Sequence, residues 1–188
     1  MILLNQLLSI LWIVFILYWI VSAIKAKKTV KNSSWWRSAA IRITIIIAAI
    51  LLFQIQTFQQ FAIHYDSASN VLVGSIGVFF CALGLAFAVW ARVHLGTNWG
   101  MPMSLKENPE LVTTGPYAFV RHPIYTGILF AIFGSLLVDG PWWFFFFLFF
   151  AVYFFYSAKT EEKIMTKQFP NEYPDYKKKT KMLIPYIL

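Results

Sequence analysis

Two short stretches of this chain concentrate the side chains able to do chemistry. The first, Arg121-His122-Pro123-Ile124-Tyr125-Thr126, closes a dense segment that starts at Leu111 and passes through the turn signal Gly115-Pro116. Pro123 suits the first position of a helix, where its missing N–H costs nothing. His122 then falls at the cap. The unpaired N–H groups of Ile124, Tyr125 and Thr126 would make an anion site at the positive end of the helix dipole. The second stretch is Glu161-Glu162, two adjacent carboxylates in a chain with only 8 acidic residues. An anion-favouring end facing a cation-favouring end fits a zwitterionic amino-acid moiety, carboxylate at the helix and ammonium at the glutamate. Plainer readings stand beside these. Arg121 and His122 also suit anchors beside lipid phosphates, and the glutamates suit a solvated helix end partnered by Lys159 and Lys163, contributing roughly a few tenths of a kcal/mol.

The apolar sequence between the two stretches has to bring them together. Residues 124–138 and 141–157 are apolar runs separated only by Asp139-Gly140, which predicts a tight antiparallel helical hairpin whose entry and exit are neighbours in space. Both legs are marginal in length for spanning a bilayer. Residues 3–24, 39–63 and 71–93 are longer, each the length of one helical crossing, and Gly74, Gly77 and Gly84 offer close helix contact in the third. The expected fold is all-α: a polytopic membrane protein of about five transmembrane helices. It forms a single domain over residues 1–188, with three spans in 1–93 and the chemistry-bearing half in 94–188. The first run has no basic region before it and is too long for a signal-peptide core, so it reads as a retained span.

Composition agrees. The chain is 59% apolar and only 13% charged, against about a quarter charged in soluble domains. A net charge of +8 beside so many apolar runs points to an anionic leaflet rather than nucleic acid. The lone Cys81, inside an apolar run, is a buried bystander, and no Cys/His set has metal-ligand spacing. Six lysines and arginines run from Lys25 to Arg42, Arg92, Lys106 and Arg121 follow, and seven more lie from Lys159 onward. The N-terminal residues, the 64–70 loop and the Asp139 turn hold none. The positive-inside rule then places the N-terminus outside and the C-terminus in the cytoplasm, with residues 94–123 and 159–188 on the cytoplasmic face. The aromatic run 142–150 reads as lipid-facing packing surface, with Trp142 and Trp143 at an interface. In the tail, Phe169, Tyr173 and Tyr176 stand beside Lys177, Lys178 and Lys179. That pattern fits a membrane-surface helix or a lid over the preceding loop.

The pattern Leu95-Gly96-x-Asn98-Trp99, Leu111-Val112-Thr113-x-Gly115-x-Tyr117, Arg121-His122-Pro123-x-Tyr125-x-Gly127, Glu161-Glu162 and Phe169-x3-Tyr173-x2-Tyr176 with Pro185 resembles the isoprenylcysteine carboxyl methyltransferase family. That family lies within a wider group that includes membrane phospholipid methyltransferases, and the resemblance covers roughly the C-terminal half. It implies an S-adenosylmethionine-dependent methyltransferase whose cytoplasmic cofactor pocket is formed by the 94–123 loop, the last hairpin and the tail. A lipophilic acceptor would enter from the bilayer. The family's cofactor positions fall on Leu111, Val112, Tyr117, His122, Pro123, Tyr125 and Glu161. Two departures stand out: Pro109 where many members have histidine, and Ser157 where eukaryotic members have arginine. No G-x-G-x-x-G follows a strand-like run, so any cofactor pocket is built from helices.

Methyl transfer from a sulfonium needs alignment and exclusion of water rather than a metal. A carboxylate acceptor such as an isoprenylcysteine is already ionised, and Arg121 or Arg92 would steer it. A phospholipid amine would need a base, Glu162 or His122, and a lipophilic thiol would need its thiolate favoured. A rival of another class is a non-catalytic, lipid-binding membrane protein that keeps the scaffold.

Overall fold

A computed structural model describes residues 2–24, 71–99, 110–140 and 142–185, with the backbone alone at Trp142. The predicted span at 39–63, the cations from Lys25 to Arg42, the 64–70 loop, Lys106 and Pro109 lie outside the described residues. Five α-helices carry the described chain: α1 (Ile2–Ala23), α2 (Val71–Leu95), α3 (Pro123–Asp139), α4 (Trp142–Gln168) and α5 (Tyr173–Lys179). Short 3-10 turns lie at Gly96–Asn98 and Gly115–Ala118, and there is no strand among the described residues. The segments Ile2–Ala23, Val71–Asn98 and Trp143–Gln168 are long and apolar enough to cross a membrane. Helix α3, at 17 residues, is the short apolar one.

Helices α2 and α3 pack backbone against backbone. Gly77 and Gly84 of α2 and Gly127 and Gly134 of α3 recur at the same seven-residue interval, which keeps each pair on one face. A Cβ at Gly84 would lie 2.5 Å from the Gly127 carbonyl oxygen, and one at Gly127 would lie 2.5 Å from the Gly84 carbonyl oxygen. Small residues of this kind let helices attract by close van der Waals contact where lipid removes the hydrophobic incentive. Helix α1 joins them through Leu8 and Phe15, its buried residues, and through Trp12, whose Nε1 donates to Ser135 Oγ at 3.0 Å. Most of its other side chains are exposed, as expected beside lipid.

The predicted hairpin is present, but its second leg is longer than its apolar run. Helix α4 continues eleven residues past Ser157 to Gln168, because Lys159, Glu161, Glu162, Lys163, Met165 and Lys167 are all strong helix formers. Both glutamates therefore sit inside a helix rather than at its emerging end. At the turn, Trp143 Nε1 donates to Asp139 Oδ2 at 2.9 Å. The Trp143 ring stacks on Trp12 with centroids 5.9 Å apart. Phe144, Phe145 and Leu148 of the aromatic run are exposed.

Candidate active site

The loop before α3 is shaped by one glycine. Gly115 has φ +59°, and a Cβ there would sit 2.7 Å from the His94 ring. Both conditions demand glycine. His94 Nε2 lies 2.8 Å from Thr114 Oγ1, fixing the ring against the turn. Pro116 and Tyr117 follow in the 3-10 turn and are buried. Pro123 takes the first position of α3 as expected, with His122 at the cap.

The tail holds this cap in place. The Arg121 and His122 N–H groups donate to the Lys181 and Met182 carbonyls at 2.8 and 3.1 Å, beside a parallel bridge between Val120 and Lys181. The Thr126 hydroxyl donates to the Leu183 carbonyl at 2.6 Å. The Tyr176 hydroxyl donates to the Tyr117 carbonyl at 2.6 Å. Burial pushes the Tyr117 and Tyr173 phenols above their ordinary range and raises Tyr176 to about 12. All three stay neutral under ordinary conditions. Of the two readings of the tail, this packing is that of a lid.

Successive positions on a helix point about 100° apart, so the two glutamates face different partners. Glu161 Oε1 accepts from the Tyr125 hydroxyl at 2.5 Å, and its Oε2 is 3.4 Å from His122 Nδ1. The His122, Tyr125 and Phe154 rings form one stack, with centroid separations of 5.4 and 4.5 Å. Glu162 turns away. Its Oε1 accepts from Arg121 Nε at 2.6 Å and its Oε2 from Lys177 Nζ at 2.7 Å. Arg121 Nη1 also donates to the Thr180 carbonyl.

Above these groups lies a cavity of about 500 Å³. Seven of the ten residues expected in the site line it: Leu111, Val112, Tyr117, Arg121, His122, Tyr125 and Glu161. Three do not. Pro123 is buried in the start of α3, Glu162 is tied between Arg121 and Lys177, and Arg92 is bound to the Gly96 and Ser22 carbonyls. Ser157, the second departure noted in the sequence, is fully buried in α4 and is also outside the lining.

The lining also holds residues that sequence reasoning did not assign. Helix α1 contributes Phe15, Trp19, Ile20 and Ala23, and the extended α4 contributes Ile164 and Met165. Asn98 and Glu110 line it as well, with Asn98 Nδ2 3.4 Å from Glu110 Oε2. The one sequence signal for α1 was Trp19, a tryptophan at the cation-rich end of an apolar run.

Residues 72–172, just over half of the chain, match the family model described as phospholipid methyltransferase. The chain belongs to that family. The matched region takes in the Gly115 turn, the α3 cap and both glutamates, and it stops just before α5. In agreement with the resemblance read from its motifs, this family member is 31% identical over 112 residues to protein-S-isoprenylcysteine O-methyltransferase of Schizosaccharomyces pombe. That match covers 57% of this chain and 48% of the yeast protein. It is also 27% identical over 143 residues to the nickel-cobalt-cadmium resistance protein NccN of Alcaligenes xylosoxydans xylosoxydans, covering 75% of this chain and 62% of that one. In both cases the match spans less than two thirds of the relative's length. With its long apolar helices, this phospholipid methyltransferase family member is an integral membrane protein.

Proposed function

We propose that this chain is a membrane methyltransferase that uses S-adenosylmethionine to methylate a lipophilic acceptor, with carboxyl O-methylation of an isoprenylcysteine-like substrate as the reaction that fits best. The observation that carries this reading is a single cavity with two kinds of wall. Glu161, His122 and the start of α3 supply polar groups, while Trp19, Trp99, Ile128 and Phe154 supply apolar surface. Of the first-turn N–H groups expected to be unpaired, that of Thr126 donates to the His122 carbonyl at 3.1 Å.

The lining fits the proposed cofactor. Glu161, with a quarter of its side chain exposed, suits an ammonium. The N–H groups of Ile124 and Tyr125 at the start of α3 suit a carboxylate. The His122 ring, which lines the cavity between Glu161 and Glu162, keeps its buried Nε2 3.8 Å from Glu162 Oε1 and its Nδ1 3.4 Å from Glu161 Oε2. When bound, S-adenosylmethionine supplies a methyl group from sulfonium: the sulfur–carbon bond breaks with its electron pair left on sulfur, and the acceptor oxygen forms the new bond. The chain's own residues align the two partners and keep water out. Tyr173 and Tyr176 do so from the tail.

Glu162 supports the choice of a carboxylate acceptor. Held by two cations and turned from the cavity, it is poorly placed to take a proton from an amine. A carboxylate needs no base. Phospholipid amine N-methylation is the second reading, favoured by the description of the matching family, and His122 would then be the base. Lipophilic thiols remain a third acceptor class for assay. A metal-handling role, suggested by the name of NccN, finds no cluster of three His, Cys, Asp or Glu side chains among the described residues.

The orientation that goes with this reading puts the site at the cytoplasmic face. Arg92, Arg121 and the cations from Lys159 onward lie toward the cavity end, and the Asp139 turn carries no cation. Labelled S-adenosylmethionine incubated with prenylcysteine analogues, phosphatidylethanolamine and lipophilic thiols would name the acceptor. Calorimetric titration of folded protein with the cofactor tests the class itself. Absence of binding at high micromolar cofactor would sink the enzyme and favour a lipid-binding protein.

A further inference from the structure

Arg92 is a buried cation left outside the chemistry above. It sits in the last turn of α2 with 4% of its surface exposed. A guanidinium taken that far from water must be compensated. Here the compensation comes from two carbonyls and a ring face. Nη1 donates to Gly96 O at 2.7 Å, Nη2 donates to Ser22 O at 2.5 Å, and the guanidinium carbon lies 4.6 Å from the Trp99 ring centroid. Ser22 O belongs to the last turn of α1, where helix carbonyls lack internal partners and the dipole favours a cation. The Trp99 ring in turn meets Trp19 edge-on, with centroids 5.7 Å apart at 90°. Arg92 thus touches two separate pieces of chain: the end of α1, and the turn from Gly96 to Trp99 that leads from α2 into the loop.

Those same pieces make the apolar side of the cavity, to which Trp19, Ala23, Leu95 and Trp99 all contribute. We propose that Arg92 is a positioning residue that clamps α1 to the end of α2 and thereby fixes the Trp19–Trp99 wall against which the lipophilic acceptor lies. This rests on the proposed function for the identity of the ligand, but the clamp itself is geometric. It separates two properties of the site. The cofactor groups around Glu161 and His122 hang on α3, α4 and the tail, whereas the acceptor wall hangs on Arg92.

Arg92→Lys and Arg92→Gln test it. Lysine keeps the charge but lacks the planar fork that reaches two carbonyls together, so both variants loosen the wall. With a turned-over acceptor, the KM for that acceptor rises about tenfold, while kcat and the cofactor Kd stay within about twofold. In protein labelled with fluorotryptophan, the Trp19 and Trp99 resonances, assigned by Trp19→Phe and Trp99→Phe, shift or broaden in both variants. This readout needs no activity, so it stands even if the proposed acceptor is wrong. Unmoved resonances overturn the clamp. A fall in kcat at constant KM overturns positioning in favour of action on the reacting atoms, and lower thermal stability with unchanged KM reduces Arg92 to a structural tie. If Arg92→Gln fails to fold, Arg92→Lys carries the same measurements, and Trp99→Leu carries the acceptor KM and the Trp19 resonance.

Discussion

Replacing Glu162 by alanine removes a carboxylate shared by the loop and the tail. The two contacts that it loses are unequal. Arg121 and Glu162 have side chains only 7% and 4% exposed, so truncation leaves a desolvated guanidinium held by the Thr180 and Lys177 carbonyls. Breaking a buried pair from one side costs about 3–5 kcal/mol. Lys177 is 49% exposed, and an ion pair of that kind is worth about 0.2–1 kcal/mol. Glu162→Ala should therefore be several kcal/mol worse than Lys177→Ala, with Glu162→Gln between them because one oxygen remains for Arg121 Nε. The loss should appear first where the tail docks. Hydrogen exchange in nanodiscs reads it at the Arg121 and His122 amides, which donate to Lys181 and Met182. At about tenfold per 1.4 kcal/mol, Glu162→Ala should speed their exchange about a hundredfold or more, and Lys177→Ala less than about tenfold. Equal exchange in the two variants would refute the assignment of the energy to the buried arm.

Under the proposed function, Glu161→Ala and His122→Ala each weaken cofactor binding about tenfold or more, since a hydrogen bond to a charged group is worth about 1.5–3 kcal/mol. Calorimetry with membrane-inserted protein checks this, and normal affinity in both removes the site assignment. Gly84→Val sets a Cβ 2.5 Å from backbone atoms of Gly127 and Ala131 and should destabilise by about 1–3 kcal/mol; an unchanged thermal midpoint in detergent would show that the helices do not meet there. Burial raises the Tyr176 phenol to about 12, so between the ordinary phenol value of about 10 and pH 12 the folded chain keeps a proton that the unfolded chain has lost. Stability is full below that window and falls as pH rises through it. Tyr176→Phe should show a shallower decline over the same window, Tyr117 and Tyr173 supplying the remainder, and identical slopes would contradict the burial.

Local signals made the frame of the site readable. Asp139-Gly140 between two apolar runs fixed the hairpin, and the antiparallel geometry of any hairpin brought His122 close to Glu161. Gly115 and Pro123 sat where a turn and a first helical position require them. Other features have no local signature. Adjacency in sequence made Glu161 and Glu162 look like a pair, but helical rotation separates them, and only the position of the tail decides which meets Lys177. Arg92 at the end of an apolar run reads as a cation available to steer an acceptor carboxylate, but its real partners include a carbonyl seventy positions away in α1. The pairing of residues 120–122 with 181–182 uses backbone groups, which every sequence possesses and none advertises. The charged half of α4 was misjudged because apolar content marks where a membrane ends, whereas helix propensity marks where a helix ends.

The brevity of α3 has a consequence for depth. Seventeen residues at about 1.5 Å each give a rod of about 25 Å, some 5 Å less than a typical hydrocarbon layer. Because the glycine seam locks this rod to α2 backbone against backbone, it cannot slide upward to make good the difference. Were the Asp139 turn at one interface, as the proposed orientation has it, His122 and Glu161 would lie below the level of the opposite one. Under the proposed function, a prenyl or acyl chain would reach the site with its tail still dissolved among other tails, and only its head would have to leave the bilayer's company.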